Sequence, residues 1–304
     1  MEESGRAFPK GAHIQEVLDT SGAHLTAVDD LLTAAFEVPQ VGAIRSSYFD
    51  DFPVWRPGAV PAASLFALFD AHGGMQGCAG LRLARLKDAA AGGEIQLGLV
   101  GAVATQPAAR GTGVATGLME YTLDKARQAG CVAVVLWDSS GSSLYQRMGF
   151  SEFGTQCIVR LSAFRQDEKR TGSWELRKGW ADPIFRLLKE RPKGLRLAEQ
   201  DITWIRRHRN THWYSLWEAG RLIAACAIGR GIDLQGVVHE WHGPSDALRC
   251  LFDEVLKDFP GALLVGPEMG DITLASHRIS MGLILPLQSG VEPGDWWFWG
   301  LDSV

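Results

Sequence analysis

The sequence predicts an α/β protein of two domains. Three observations carry this. The chain has 304 residues, more than a single hydrophobic core usually organises. Strand-like and helix-like patterns alternate in both halves. A polar stretch without either pattern separates the halves after residue 163.

In the first half, Val28, Leu31, Leu32 and Phe36 recur at helical spacing and predict a short helix over 28–36. Segments 64–71 and 75–86 read as two strands joined by the turn His72-Gly73-Gly74. Residues 95–104 are almost continuously apolar, as in a central strand covered on both faces. A helix follows over 111–128, with Ala115, Leu118, Met119, Thr122 and Ala126 on one face and Gly130 placed to end it. Residues 131–137 read as another buried strand, 142–148 as a short helix, and 153–161 as a strand. The run Arg165-Gln166-Asp167-Glu168-Lys169-Arg170 makes 164–173 the linker, so the expected domains are 1–163 and 174–304.

The second half holds a faint echo of the first. Leu68-Phe69-Asp70-Ala71 matches Leu216-Trp217-Glu218-Ala219 in character. Ten residues after each leucine stand Cys78-Ala79 and Cys226-Ala227, and Arg82 then falls opposite Arg230. A strand over 236–241, a helix over 245–257 and a strand over 262–265 follow in similar order, as in a duplicated fold with a diverged second copy.

Composition narrows the function classes. Hydrophobic residues make up 46% and charged residues 21%, ordinary for a folded domain. A net charge of −5 argues against nucleic-acid partners, which call for a basic excess. The five cysteines form no C-x-x-C pair, so neither a metal site nor a redox dithiol is expected, and an odd unpaired set fits a reducing compartment. The start, Met1-Glu2-Glu3-Ser4, lacks an apolar core, and no apolar run approaches the roughly 20 residues of a membrane helix. A cytoplasmic protein without membrane or metal partners is expected.

The segment that carries chemistry is Val103-Ala104-Thr105-Gln106-Pro107-Ala108-Ala109-Arg110-Gly111-Thr112-Gly113-Val114-Ala115. A buried strand runs into a glycine-containing turn that opens a helix. Backbone N–H groups at a helix start lack internal acceptors, and the helix dipole adds positive potential there. Gly111 and Gly113 have no Cβ, so a pyrophosphate can approach the backbone, and Arg110 adds a fixed charge. A phosphate loop of the G-K-[ST] kind is excluded, because Thr112-Gly113-Val114 has no lysine. A dinucleotide fingerprint fits poorly, since Gly117 stands one place late, although Asp138 imitates its acid. A nucleotide-dependent oxidoreductase is therefore the minor alternative.

The next strand is followed by Leu144-Tyr145-Gln146-Arg147-Met148-Gly149-Phe150. Together the two segments resemble the GNAT-type N-acetyltransferase superfamily, whose pattern runs roughly V-x-P-x-x-R-G-x-G-x-A, a strand, then L-Y-x-x-x-G-F. The resemblance implies two GNAT-like domains in tandem, each a mixed, mostly antiparallel sheet flanked by helices. It implies acetyl-CoA as acyl donor, with Arg110, Gly111, Thr112, Gly113, Val114 and Ala115 around its pyrophosphate. Val103 and Thr105 would pair through their backbone with the pantetheine arm, and a donor near Val103 would polarise the thioester carbonyl. Tyr145 takes the general-acid position, protonating the departing thiolate. Asp138 departs from the family, which often has Asn there. Glu94, at the start of the central strand, is the candidate general base, weighed evenly against a solvated strand-end carboxylate.

Nine of the eleven tryptophans follow the linker. Around His239-Glu240-Trp241-His242 and Trp296-Trp297-Phe298-Trp299 they read as core and interface rather than as a cation-binding pocket assisted by Glu240. His239 and His242 stand three apart on a strand and face opposite ways, so they make no metal site. The second half has no R-G-x-G turn, and Asp246 at its helix start would repel phosphate, so the second copy is expected to have lost the cofactor while shaping the acceptor site. The expected reaction is direct acetyl transfer to a primary amine of a small molecule or peptide in a ternary complex. The alternative is a non-catalytic acyl-CoA-binding or regulatory protein.

Overall fold

The computed structural model describes residues 11–18, 22–39, 46–88, 93–138, 141, 143–164, 174–231, 233–267 and 277–303. By packing, the chain divides into two compact units. The first is Met1–Glu152 with Gly282–Pro293 and Val304; the second is Phe153–Met281 with Gly294–Ser303. The expected linker falls almost wholly on 165–173, outside the described residues. The late return of residues 282–293 to the first unit is a feature that reading the chain as two contiguous halves did not contain.

The first unit contains β1 (His13–Glu16), α1 (Ala23–Ala35), α2 (Tyr48–Asp51), β2 (Ala63–Phe69), β3 (Met75–Asp88), β4 (Gly93–Thr105), α3 (Val114–Gln128), β5 (Ala133–Leu136) and α4 (Ser143–Arg147). Strands β1 to β5 lie in chain order. All neighbours are antiparallel except β4 and β5, which α3 connects in parallel. The far side of β5 is covered by residues 283–286 of β12 (His277–Pro286), antiparallel.

The apolar spacing of α3 explains its docking. Leu118, Met119, Leu123 and Ala126 share one buried face and pack on Ala79, Leu81, Val100 and Val134 of the sheet. Leu118 is fully buried, so Leu118→Ala would cost about 2–5 kcal/mol. The start of the helix lies close against β3. A Cβ at Gly77 would stand 2.7 Å from Ala104 O and 2.8 Å from Val114 Cγ1, so only glycine fits there.

The second unit repeats this order with other residues. It contains β6 (Ser151–Arg160), β7 (Glu175–Lys178), α5 (Asp182–Glu190), α6 (Ile202–Ile205), β8 (His212–Glu218), β9 (Arg221–Ile228), β10 (Val237–His242), α7 (Ser245–Asp258), β11 (Leu263–Gly266) and the first half of β12. Its strand order is β12-β6-β11-β10-β9-β8-β7, with β10 and β11 parallel. The sequence echo falls on corresponding hairpins, β2–β3 and β8–β9. Cys78 and Cys226 are both fully buried, and so nearly are Arg82 and Arg230.

Strands β1 and β7 were not legible because four residues are too few to show alternation. The predicted helix over 111–128 starts three residues later, at Val114, because Gly111 and Gly113 both have positive φ, 78° and 89°. A 3-10 turn over Pro107–Ala109 precedes them.

Candidate functional site

Strand β4 is the backbone of the site. It pairs with β5 only from Leu97 to Val100, where β5 ends at Leu136. Among the described residues, 101–105 therefore continue with a strand partner on the β3 side alone. Within that stretch the β3 register slips between Cys78 and Gly80, and Ala102 has a φ of 51°. This is a bulge: two β4 residues oppose one on β3, at a backbone conformation unfavourable for a residue with a Cβ. Val103 is the second bulged residue and Thr105 stands just past it, both half-buried. Sequence reasoning named these two residues and missed the bulge. The only signal for it was the run of small residues Gly101-Ala102.

The turn into α3 is open and uncapped. Gly113 is the N-cap, and no side chain caps the helix. The first intrahelical bond runs from Gly117 N–H to Gly113 O at 2.9 Å, so the N–H groups of Val114, Ala115 and Thr116 precede the ladder. A Cβ built on Gly111 or Gly113 meets nothing within 4 Å, so the space in front of the turn is free. Arg110 is exposed on its rim. Thr112 serves the turn itself. Its Oγ1–H donates to Ala109 O at 2.7 Å and its N–H points to the same oxygen at 3.4 Å. The expected donor set at Gly111–Ala115 is therefore weakest at Thr112. A dianionic or polyanionic group of pyrophosphate size fits this cradle: donors on one side, a cation on the rim, no carboxylate in the first helical turn.

Tyr145 lies on α4, packed with Val103 against the same core cluster and edge-on to Phe150 at 6.0 Å. Burial, with a smaller contribution from the charge of Asp138, pushes its phenol up to about 12. The hydroxyl therefore keeps its proton throughout the neutral range.

Glu94 is not brought to these groups. It sits on the second residue of β4, exposed, with its carboxylate 3.8 Å from the Arg85 guanidinium. Nine residues of strand separate it from Val103, about 30 Å at roughly 3.3 Å per residue. A general base needs hydrogen-bond contact with the amine, directly or through one water. Of its two readings, this geometry fits the strand-end carboxylate.

In the second unit residues 239–242 and 296–299 are interior, while Asp246 is exposed. Trp296, Trp297, Phe298 and Trp299 are all buried, and Trp299 meets Trp241 edge-on at 5.2 Å. Glu240 is fully buried. It accepts from Arg191 at 3.4 Å, from Leu301 N–H at 3.0 Å and pairs with His242 Nε2 at 3.0 Å. Asp302 accepts from Arg191, Leu195 N–H and Trp299 N–H. Burial opposes the charge on Glu240, yet Arg191 and His242 outweigh it and hold the carboxyl below its ordinary range. Asp302 is pushed up by burial and by Glu240, which Arg191 offsets only in part. Burial lowers His239 to about 4, so it is neutral, with Nε2 3.1 Å from Gly229 O. All five cysteines are free and buried. Among the described residues no cluster of His, Cys, Asp and Glu is arranged to hold a metal ion, and no helix is long and apolar enough to cross a membrane.

Comparisons with known proteins concern the fold. Residues 26–153 match the family described as acetyltransferase (GNAT) domain. No curated protein sequence matches the chain. Among solved structures, a GCN5-related N-acetyltransferase from Kribbella flavida is similar over 91% of this chain and 72% of its own, at 16% identity and a TM-score of 0.61. A GCN5-related N-acetyltransferase from Anabaena variabilis is similar over 90% and 72%, at 14% identity and 0.58. A tandem GNAT protein from the clavulanic acid biosynthesis pathway is similar over 90% of this chain and 98% of its own, at 13% identity and 0.53.

Proposed function

We propose that this chain, which has the GNAT fold and an acetyltransferase (GNAT) domain in its first unit, transfers an acetyl group from acetyl-CoA to a primary amine. The observation that supports this most is the turn before α3: uncapped, glycine-lined, open in front, and bordered by Arg110. In this reading Gly113, Val114 and Ala115 receive the pyrophosphate through their N–H groups, with Gly111 clearing the approach. The unpaired edge at Val103 and Thr105 receives the pantetheine amides as a strand would. The bulge at Ala102 turns a backbone donor toward the thioester oxygen, where charge develops during attack.

The amine nitrogen forms a bond to the thioester carbon. The carbon–sulfur bond then breaks, and its electron pair leaves as thiolate. Tyr145 stands for the group that meets this sulfur. Burial raises the Tyr145 phenol to about 12, above the range of an ordinary thiol, so the phenol tends to keep its proton beside a thiolate. Tyr145 therefore acts as a held donor: its hydrogen bond stabilises the thiolate, about 1.5–3 kcal/mol for a bond to a charged group. Glu94 stays a strand-end ion pair, so in this reading the amine proton passes to solvent water, which also protonates the released thiolate. No nucleophile stands beside a base in the cradle, which favours direct transfer in a ternary complex over a covalent intermediate.

The test combines calorimetry with acetyl-CoA and a screen of amines for thiol release. One site per chain with turnover on at least one amine is expected. Absence of binding at millimolar acetyl-CoA would remove the proposal. Binding without turnover on any amine would select the acyl-CoA-binding regulatory reading.

A further inference from the structure

The second unit has a cleft of about 850 Å³ that the acetyl-transfer reading does not use. One wall is α5, the other is the β8–β9 hairpin, and the turn Gly243-Pro244 closes one end. Its volume lies in the range of small-molecule sites. Leu187, Leu222 and Ile223 give it an apolar lining, all three half-buried. Two guanidiniums, Arg186 and Arg221, line it from opposite walls, and both are exposed.

Some arginines of this unit are matched to carboxylates and others are not. Arg191 is matched to Glu240 and Asp302, Arg230 to Asp233, and Arg177 to Glu175. Arg186 and Arg221 have no carboxylate within ion-pair distance among the described residues. Glu218, the residue directly across the hairpin from Arg221, instead accepts from Trp174 Nε1 at 3.2 Å. Glu190 contributes one carboxylate to the cleft, which leaves an excess of one positive charge. The strand edge adds backbone. β10 pairs with β9 only from Ile228 to Ala225, so residues 221–223 have a strand neighbour on the β8 side alone. The register there slips between Leu216 and Trp217, which makes Ile223 a bulge residue.

We propose that this cleft binds a small ligand that joins an oxyanion group, carboxylate or phosphate, to an apolar body. In this reading the two guanidiniums share the oxyanion, a group that arginine favours. Leu187, Leu222 and Ile223 take the apolar part. The cleft is separate from the pyrophosphate cradle in chemistry: side-chain cations and aliphatic walls here, backbone N–H groups there.

Calorimetry with 4-phenylbutyrate and with phenyl phosphate tests this on the full chain. CoA is held at saturation so that the first-unit cradle is occupied, and 4-phenylbutanol and 4-phenylbutylamine serve as neutral and cationic controls. At least one of the two oxyanions is expected to bind tenfold or more tightly than either control. Arg186→Gln and Arg221→Gln are each expected to weaken it by roughly tenfold, about 1.4 kcal/mol. Both side chains are exposed, so folding is expected to be unaffected, which circular dichroism checks. Gly113→Asp, measured without CoA, is expected to leave oxyanion binding intact. The proposal is overturned if neither oxyanion exceeds the controls, if both arginine variants bind as the parent does, or if Gly113→Asp removes the binding.

Discussion

The turns before α3 and before α7 hold corresponding places in their units, each between a central strand and the helix that crosses to its parallel neighbour. They solve the helix start differently. Before α3, Gly113 caps with positive φ, no acid stands in the first turn, and the space in front of the glycines is free. Before α7, Pro244 occupies the cap position, and Asp246 brings a carboxylate into the first turn, where it accepts from Ala247 N–H at 2.9 Å. Gly243 there is pressed on Ala224, with no room for a Cβ. Thus the first turn leaves its N–H groups without a side-chain cap, and the second supplies a carboxylate of its own. A shared order of elements does not keep a helix start open; the second turn differs by one acidic residue and by the packing of one glycine. The buried charges of the second unit follow the same division, being matched to one another rather than left for a ligand.

The largest expected effect comes from those matched charges. Arg191→Ala leaves Glu240 and Asp302 buried without their cation, a loss of about 3–5 kcal/mol in denaturant unfolding. A loss under about 1 kcal/mol would break the view that the second unit uses its charges for structure.

Next is the cradle. Gly113→Asp places a carboxylate near the pyrophosphate position, and one like-charge contact at about 4 Å is worth about 4 kcal/mol at a surface-like dielectric. Affinity for CoA is expected to fall by roughly a thousandfold in calorimetry while the far-ultraviolet dichroism stays unchanged. Retained affinity would mean that the donors at Val114 and Ala115 do not face the ligand.

Tyr145→Phe is expected to slow single-turnover thiol release by roughly 10²-fold, with CoA affinity altered less than about threefold. An unchanged chemical step would return Tyr145 to a packing role. The pH dependence has a definite sign. The folded protein holds this proton up to about 12, above the ordinary tyrosine value near 10. Loss of the Tyr145 proton therefore makes no contribution to stability changes below pH 10, and stability is lost as pH rises from 10 toward 12. The difference between wild type and Tyr145→Phe in phenolate absorbance reads the same titration.

The smallest effect is the control. Asp246→Ala is expected to leave CoA affinity within about twofold and to reduce stability by about 0.3–1 kcal/mol, the worth of an acid in a first helical turn. A gain of a second CoA site in this variant would show that Asp246 alone separates the two turns.

By itself the sequence determined the local features whose physics is local. The apolar run of β4, the face of α3, the hairpins at Cys78 and Cys226 and the Arg110–Ala115 turn all follow from spacing and from glycine's freedom at positive φ, because each depends on neighbours in the chain. Tyr145 and Val103 were named through the resemblance of their motifs to those of the GNAT superfamily. What only the tertiary structure decided is where distant segments meet. Residues 283–286 pair with β5 from the far end of the chain. The matching of Arg191 to Asp302 spans more than a hundred residues. These depend on long-range pairing, in which burial selects among many chemically equal partners, and a linear pattern holds no record of that selection.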